Sequence, residues 1–192
     1  NSSIIFSSNC PFVDIYTVIP DSMFEQKLIN LGYDSIHDGR VLTSNIRNID
    51  SLDISNSGII DLTGIKDFIN LSFLNCNLNE LAVFDISQNT LLENLQCRCS
   101  GLDSLDLKQN SNLSILDCNN DIFTGSMPCQ SSNFNNNISY LNLSKNPYLT
   151  SFSAKGNGLI NLDLSQNSHL TEIQCQNNNL VSLDLKNGNN TN

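Results

Sequence analysis

Cys97-Arg98-Cys99 sets two thiols one residue apart in a chain with seven cysteines. Thiols this close could be half of a metal site, a redox pair, or two residues with separate roles. A zinc site needs four convergent Cys or His ligands. The other thiols do not converge: Cys76, Cys97 and Cys118 follow at steps of 21 residues, and Cys175 occupies the equivalent place further on. Such a column reads as a ladder of buried, reduced thiols acting as small apolar groups. The two histidines, His37 and His169, stand near no Ser or Cys nucleophile in a recognisable motif. No Walker loop, dinucleotide-binding glycine pattern or HExxH occurs. Asp85, Asp106, Asp163 and Asp184 recur at one repeat position, so an acid/base pair would have to break the repeat. They read as a solvated acidic strip, whose alternative use is to bind a divalent cation or a cationic ligand. No D-x-[DN]-x-[DN]-G run with a distal Glu is present for calcium. The expectation is a non-enzyme without catalytic residues, metal or cofactor.

The elements behind these columns emerge from self-comparison. LSFLNC (71–76), LENLQC (92–97), LSILDC (113–118), LTSFSA (149–154) and LTEIQC (170–175) begin at steps of 21, 21, 36 and 21. Each is followed by a second segment, as in LAVFDISQN (81–89) and LDSLDLKQN (102–110), and a looser unit covers 49–68. The ends of both segments alternate inward and outward, which is strand periodicity, and SQN, KQN and SKNP are turn chemistry. One coil with two strands and two turns cannot bury its apolar side alone. It must stack, giving a β-rich solenoid with two short parallel strands per 21-residue coil.

The aligned residues resemble the leucine-rich repeat family, L-x-x-L-x-L-x-x-N/C-x-L. They are closest to the 21-residue nested bacterial variant (the IRREKO type), while DLTGI in the first unit looks internalin-like. The resemblance implies a binding scaffold rather than one particular function. Upstream, residues 20–45 read as a helical N-terminal cap. Ser22-x-x-Glu25 suggests a capping box, Phe24, Leu28 and Leu31 one apolar face, and Gly32 the stop. FEQKLINLGYD (24–34) also resembles the cap of secreted leucine-rich repeat proteins from flavobacterium-like bacteria. The domain plan is an extension over 1–19, the cap, a solenoid over 46–190 with an inserted loop at about 121–137, and a tail at 191–192. With no second cap in sight, the chain is expected to be truncated before one.

Two asparagine columns should satisfy backbone groups at the bends. One comprises Asn79, Asn157 and Asn178, with Ser100 and Asp121 as departures; the other comprises Asn89, Asn110, Asn146 and Asn167. Cys99 belongs to no column. The 15-residue insertion one coil along carries Cys129, so a Cys99–Cys129 disulfide is expected to tether it, leaving Cys10 as the odd thiol. Ile122, Phe123, Met127 and Phe134 make the insertion more apolar than a plain solvated loop, and it is the leading candidate for a binding site.

The formal charge of −10 disfavours nucleic acid and anionic lipid, and no apolar run reaches the ~20 residues of a membrane helix. The expected function is protein–protein interaction or adhesion through the solenoid face and the loop. The protein would be secreted or displayed at the cell surface, with the periplasm as a further compartment. A glycan-binding module and a structural spacer are the alternatives. The absence of Trp and the count of four Tyr weaken the glycan reading.

Overall fold

A computed structural model describes residues 14–120 and 135–186. It is a β-solenoid of about six turns. The chain enters through β1 (Tyr16–Val18), α1 (Ser22–Asn30), β2 (Arg40–Leu42) and α2 (Thr43–Ile46). The two strands pair antiparallel. Six three-residue strands then stack in parallel: β3 (Ser51–Asp53), β4 (Phe73–Asn75), β5 (Asn94–Gln96), β6 (Ile115–Asp117), β7 (Ser151–Ser153) and β9 (Glu172–Gln174). A 3-10 turn at Ile65–Asp67 lies in the first coil.

The register follows from the apolar repeat. Leu52, Leu74, Leu95, Leu116, Phe152 and Ile173 face one another strand by strand. A slip of one residue would turn the whole column to solvent. Where Phe152 replaces leucine, Ala154 replaces cysteine two residues on, and both are buried. The larger and smaller side chains offset each other in volume.

The second row of strands forms only toward the ends. β8 (Asn161–Asp163) pairs with β10 (Ser182–Asp184), and Asp61 makes a parallel bridge with Val83. Between them, at 103–106 and 139–142, the described chain makes no ladder, and the coils stand apart around clefts.

In five coils one bend takes a left-handed backbone. Asn56, Leu78, Cys99 and Asn177 have φ of 48°, 57°, 50° and 59°, and Gly156 has 69° at the same position. Asparagine and glycine tolerate this conformation best. Gly156 has a second reason, since a Cβ there would lie 2.6 Å from the Asn120 carbonyl of the neighbouring coil. Leu78 carries the steric cost without that compensation, so Leu78→Asn should raise stability by about 0.5–1 kcal/mol in urea unfolding.

The cap is held differently from the capping box expected at Ser22 and Glu25. Asp21 is the N-cap: Met23 and Phe24 donate to its Oδ1 at 2.8 and 2.9 Å. Its Oδ2 accepts from Ile60 and Asp61 at 2.8 and 3.0 Å, so one carboxylate joins the helix to the first coil. Glu25 does not reach back to the helix start. It is buried, and its Oε1 accepts the N–H groups of Asp38, Gly39 and Arg40. Leu31 leaves the apolar face and is largely exposed at the C-cap. Gly64, at φ 103°, lets β1 close on the first coil. A Cβ there would meet the Ile19 side chain and lie 2.7 Å from the Val18 carbonyl.

Burial acts to raise the Asp21 pKa, but N–H donors from Ile60, Phe24, Asp61 and Met23 outweigh it and hold the carboxyl below its ordinary value. A carboxylate lowered in the folded state stabilises fully above its unfolded value, ~3.9, and less as pH falls through the folded value. Asp21→Asn should therefore cost about 1–2 kcal/mol at pH 7 and flatten the stability profile below pH ~4, as measured by denaturant titration across pH.

Candidate functional site

Cys76, Cys97 and Cys118 are fully buried free thiols. Cys76 donates to the Gln96 carbonyl at 3.3 Å and Cys118 to the Ser153 carbonyl at 3.5 Å. Burial pushes the Cys76 thiol up to about 12. Burial also raises Cys97 well above its ordinary value, aided by Cys118, Cys76 and Asp117; it raises Cys118 too, aided by Asp117. Burial that disfavours the thiolate makes these thiols poor nucleophiles and poor metal ligands. Cys175 departs from the expected buried ladder, being only partly covered in the last described coil, and burial raises its pKa as well. Under native conditions an iodoacetamide label should reach Cys175 first and the other three only on unfolding, as read by peptide mass mapping. Cys99 is buried and is not one of the free thiols; its partner lies outside the described residues. Cys129, Ile122, Phe123, Met127 and Phe134 lie there too.

The first asparagine column closes the bends between coils. Asn79 donates to the carbonyls of Ile54 and Cys76, both at 3.0 Å, and accepts from Ile59 at 3.0 Å. Asn157 and Asn178 repeat the arrangement. Ser100 substitutes in part, its hydroxyl donating to the Cys76 carbonyl at 2.9 Å. The place assigned to Asp121 belongs instead to Asn136. It donates to Cys97 and Cys118 carbonyls at 2.8 and 3.1 Å and accepts from Ser100 and Leu102 at 3.1 and 2.9 Å. The insertion thus returns to the coil two residues earlier than the position of Ile138 alone suggests. A sequence signal existed: Asn79, Asn157 and Asn178 each lie two residues before the next inward apolar residue, as Asn136 does before Ile138.

The second column, Asn89, Asn110, Asn146 and Asn167, is fully buried, and each amide donates to two carbonyls of the preceding coil. The acidic strip has a local role. Asp85, Asp106, Asp163 and Asp184 each accept the N–H two residues on, and Asn142 does the same in its coil. These bonds to the turn hold the carboxyls of Asp85, Asp106 and Asp163 below their ordinary value. Among the described residues no three His, Cys, Asp or Glu side chains are grouped to hold a metal ion. His37 lies 3.2 Å from Glu25 and His169 beside the Pro147 carbonyl, each near a structural partner.

The ladders and caps account for the inward and turn positions, leaving the outward side chains for recognition. On the six-stranded sheet, Phe73, Asn94 and Ile115 stand side by side, with the two apolar groups half-buried. Arg98 at the adjoining bend points its Nε at Asp117, 3.7 Å away. On the second side the described residues line a row of clefts, three of which concern the unpaired segments. The first, about 650 Å³, lies between Glu80–Phe84 and Gly101–Ser104. A second, about 350 Å³, is lined by Phe84, Asp85, Leu105 and Asp106. The third, about 330 Å³, runs from Asp103–Asp106 to Ser139–Asn142 and includes Tyr140. In the sequence, the coil that carries 139–142 is set apart by the 15-residue insertion before it, while the coil that carries 103–106 has the regular 21-residue step.

No family model matches the chain, and no curated protein does. Solved structures do. The functional domain of InlJ from Listeria monocytogenes, which includes a cysteine ladder, is 28% identical with a TM-score of 0.75, over 90% of this chain and 36% of that one. An internalin (InlF) from L. monocytogenes is 20% identical with a TM-score of 0.62, over 85% of this chain and 45% of its own. Internalin C2 from the same species is 17% identical with a TM-score of 0.55, over 88% of both chains. The chain thus spans less than half the length of the first two. Its fold is an internalin-like leucine-rich repeat. No helix among the described residues is long and apolar enough to cross a membrane.

Proposed function

We propose that this chain is a non-enzymatic protein-interaction module of the 21-residue nested repeat class, acting at the cell surface or after secretion. The observation that supports this most directly is the division of labour between inward and outward side chains. Thiols, amides and most carboxylates are engaged in holding coils and turns, while the sheet presents a continuous outward surface whose residues vary from coil to coil. A solenoid built this way is a display scaffold. Phe73 and Ile115 are its apolar contacts, and Arg98 with Asp117 its charged ones. Ile122, Phe123, Met127 and Phe134 would extend the surface from the insertion that leaves the coil beyond Asn120. A Cys99–Cys129 bond would tether that insertion, consistent with an oxidising compartment.

The test is binding of the labelled domain to parallel arrays of immobilised extracellular proteins and of glycans. Saturable binding to a protein, lost at least tenfold in the double variant Phe73→Glu/Ile115→Glu with its circular dichroism unchanged, is the expected result. Binding confined to the glycan array would replace this reading with the carbohydrate one. Absence of any binding on either array would favour a structural spacer.

A further inference from the structure

The three clefts of the second side coincide with a gap in the backbone hydrogen bonding. At one end, Ile60 accepts from Ala82 and Val83, and Val83 accepts from Leu62. At the other, Ile160 accepts from Val181 and Leu164 donates to Asp184. Between them, among the described residues, the backbone N–H and C=O groups of Asp103–Asp106 and Ser139–Asn142 make no hydrogen bond. Buried or half-covered backbone groups normally find a partner, and an unpaired row of them is a template for an added extended chain. Leu105 and Leu141 are buried in these segments, so the side chains are fixed while the main chain beside them is open.

The lining decides what such a chain would carry. Glu80 and Asp103 both line the cleft of about 650 Å³, and among the described residues neither carboxylate has a hydrogen-bond or ion-pair partner. Asp85 and Asp106 line the next, where Lys108 is the one basic lining residue and is already paired with Asp106 at 3.2 Å, while Lys66 of the preceding coil acts on Asp85. Between the charges lie apolar surfaces from Ile60, Ala82 and Phe84. Like charges around one cleft repel until a cation joins them, and a strand places alternate side chains on one face.

We propose that this side of the solenoid docks an extended segment of a protein partner in which Lys or Arg alternates with apolar residues. The open backbone supplies main-chain pairing, and Glu80 and Asp103 supply the charge selection. This second surface rests on the reading of the chain as a protein-interaction module, and it is distinct from the outward face of the sheet that carries Phe73 and Ile115.

The probe is a fluorescein-labelled peptide of alternating Lys and Val, followed by fluorescence polarisation with the 192-residue chain. Saturable binding that weakens with salt is expected, together with at least tenfold weaker binding of the Glu/Val counterpart. Glu80→Gln/Asp103→Asn, two substitutions outside the core, should weaken binding at least fivefold. A peptide N-methylated at alternate residues should bind at least fivefold more weakly, and amides of 103–106 and 139–142 should gain hydrogen-exchange protection in the complex. Equal binding of the N-methylated peptide would reduce the site to bulk electrostatics and overturn it. Undiminished binding by the charge variant would do the same, as would no binding at all. The sheet variant Phe73→Glu/Ile115→Glu should bind the peptide normally. Array binding that survives Phe73→Glu/Ile115→Glu would remove the sheet-face reading and leave this one, whereas failure of the peptide experiment with array binding lost in that variant would remove this site alone.

Discussion

Asn136→Ala is expected to lower the free energy of unfolding by about 4 kcal/mol, the largest effect of any single side chain outside the apolar core. The side chain is fully enclosed and joins two coils through four hydrogen bonds of 2.8–3.1 Å. Truncation strands the N–H groups of Ser100 and Leu102 and the carbonyls of Cys97 and Cys118. Each buried orphan costs about 1–3 kcal/mol, reduced where a water enters the space left behind. The position also sits where the chain re-enters the coil after the insertion, so its loss should free residues 135–137 together with the bend of the preceding coil. Urea unfolding gives the magnitude. The control is Asn112→Ala, an exposed residue with one bond to the Thr90 carbonyl at 3.0 Å, which should change stability by no more than about 0.5 kcal/mol. A loss below about 1 kcal/mol for Asn136→Ala would show that water replaces the amide at little cost.

Glu25→Ala should follow at about 3 kcal/mol. The residue is 2% exposed, and its Oε1 accepts three consecutive N–H groups, from Asp38 at 2.7 Å, Gly39 at 2.6 Å and Arg40 at 3.2 Å. These donors lead into β2, and the Gly39 carbonyl in turn accepts from Ile19 of the chain leaving β1 at 2.8 Å. Removing the carboxylate therefore loosens the hairpin that holds Ile19 and Val41 in the core. Glu25→Gln keeps an acceptor of the same length and should lose only about 1–1.5 kcal/mol. Because the hairpin and α1 close the first coil, the Ala variant should expose amides of 38–42 to hydrogen exchange before those of the solenoid sheet. Simultaneous exchange of both would mean that cap and solenoid unfold as one unit.

Both variants concern residues that the sequence identified unevenly. Glu25 was legible as helical but was assigned to a capping box, because S-x-x-E is a local pattern and the true acceptor arrangement depends on a loop 13 to 15 residues away. Asp21, one residue earlier, took the cap because its second oxygen could also reach Ile60 and Asp61, a contact made only once the helix lies on the first coil. Asn136 was hidden by the insertion, which displaced it from the regular count. Asp85, Asp106 and Asp163 are exposed and Asp184 half-buried, and the role of these residues in holding turns is a bond over two residues that the pattern LDLxxN does not by itself disclose.

The repeat determined by itself that the chain forms stacked coils with an apolar side turned inward, where Cys76, Cys97 and Cys118 are buried and Cys175 of the last described coil is only partly covered. Those properties depend on apolar spacing, and in a solenoid every coil meets the same neighbours at the same step. The Cys97-Arg98-Cys99 tripeptide divides on that basis: Cys97 is a ladder residue, and Cys99 stands at a bend that needs a left-handed backbone. Only the tertiary structure decided how far apart the coils stand on their second side. The same Leu-x-Leu spacing pairs β8 with β10 but leaves 103–106 and 139–142 open. Strand pairing there depends on the separation of coils that are fixed to each other across the solenoid, a quantity no single repeat encodes.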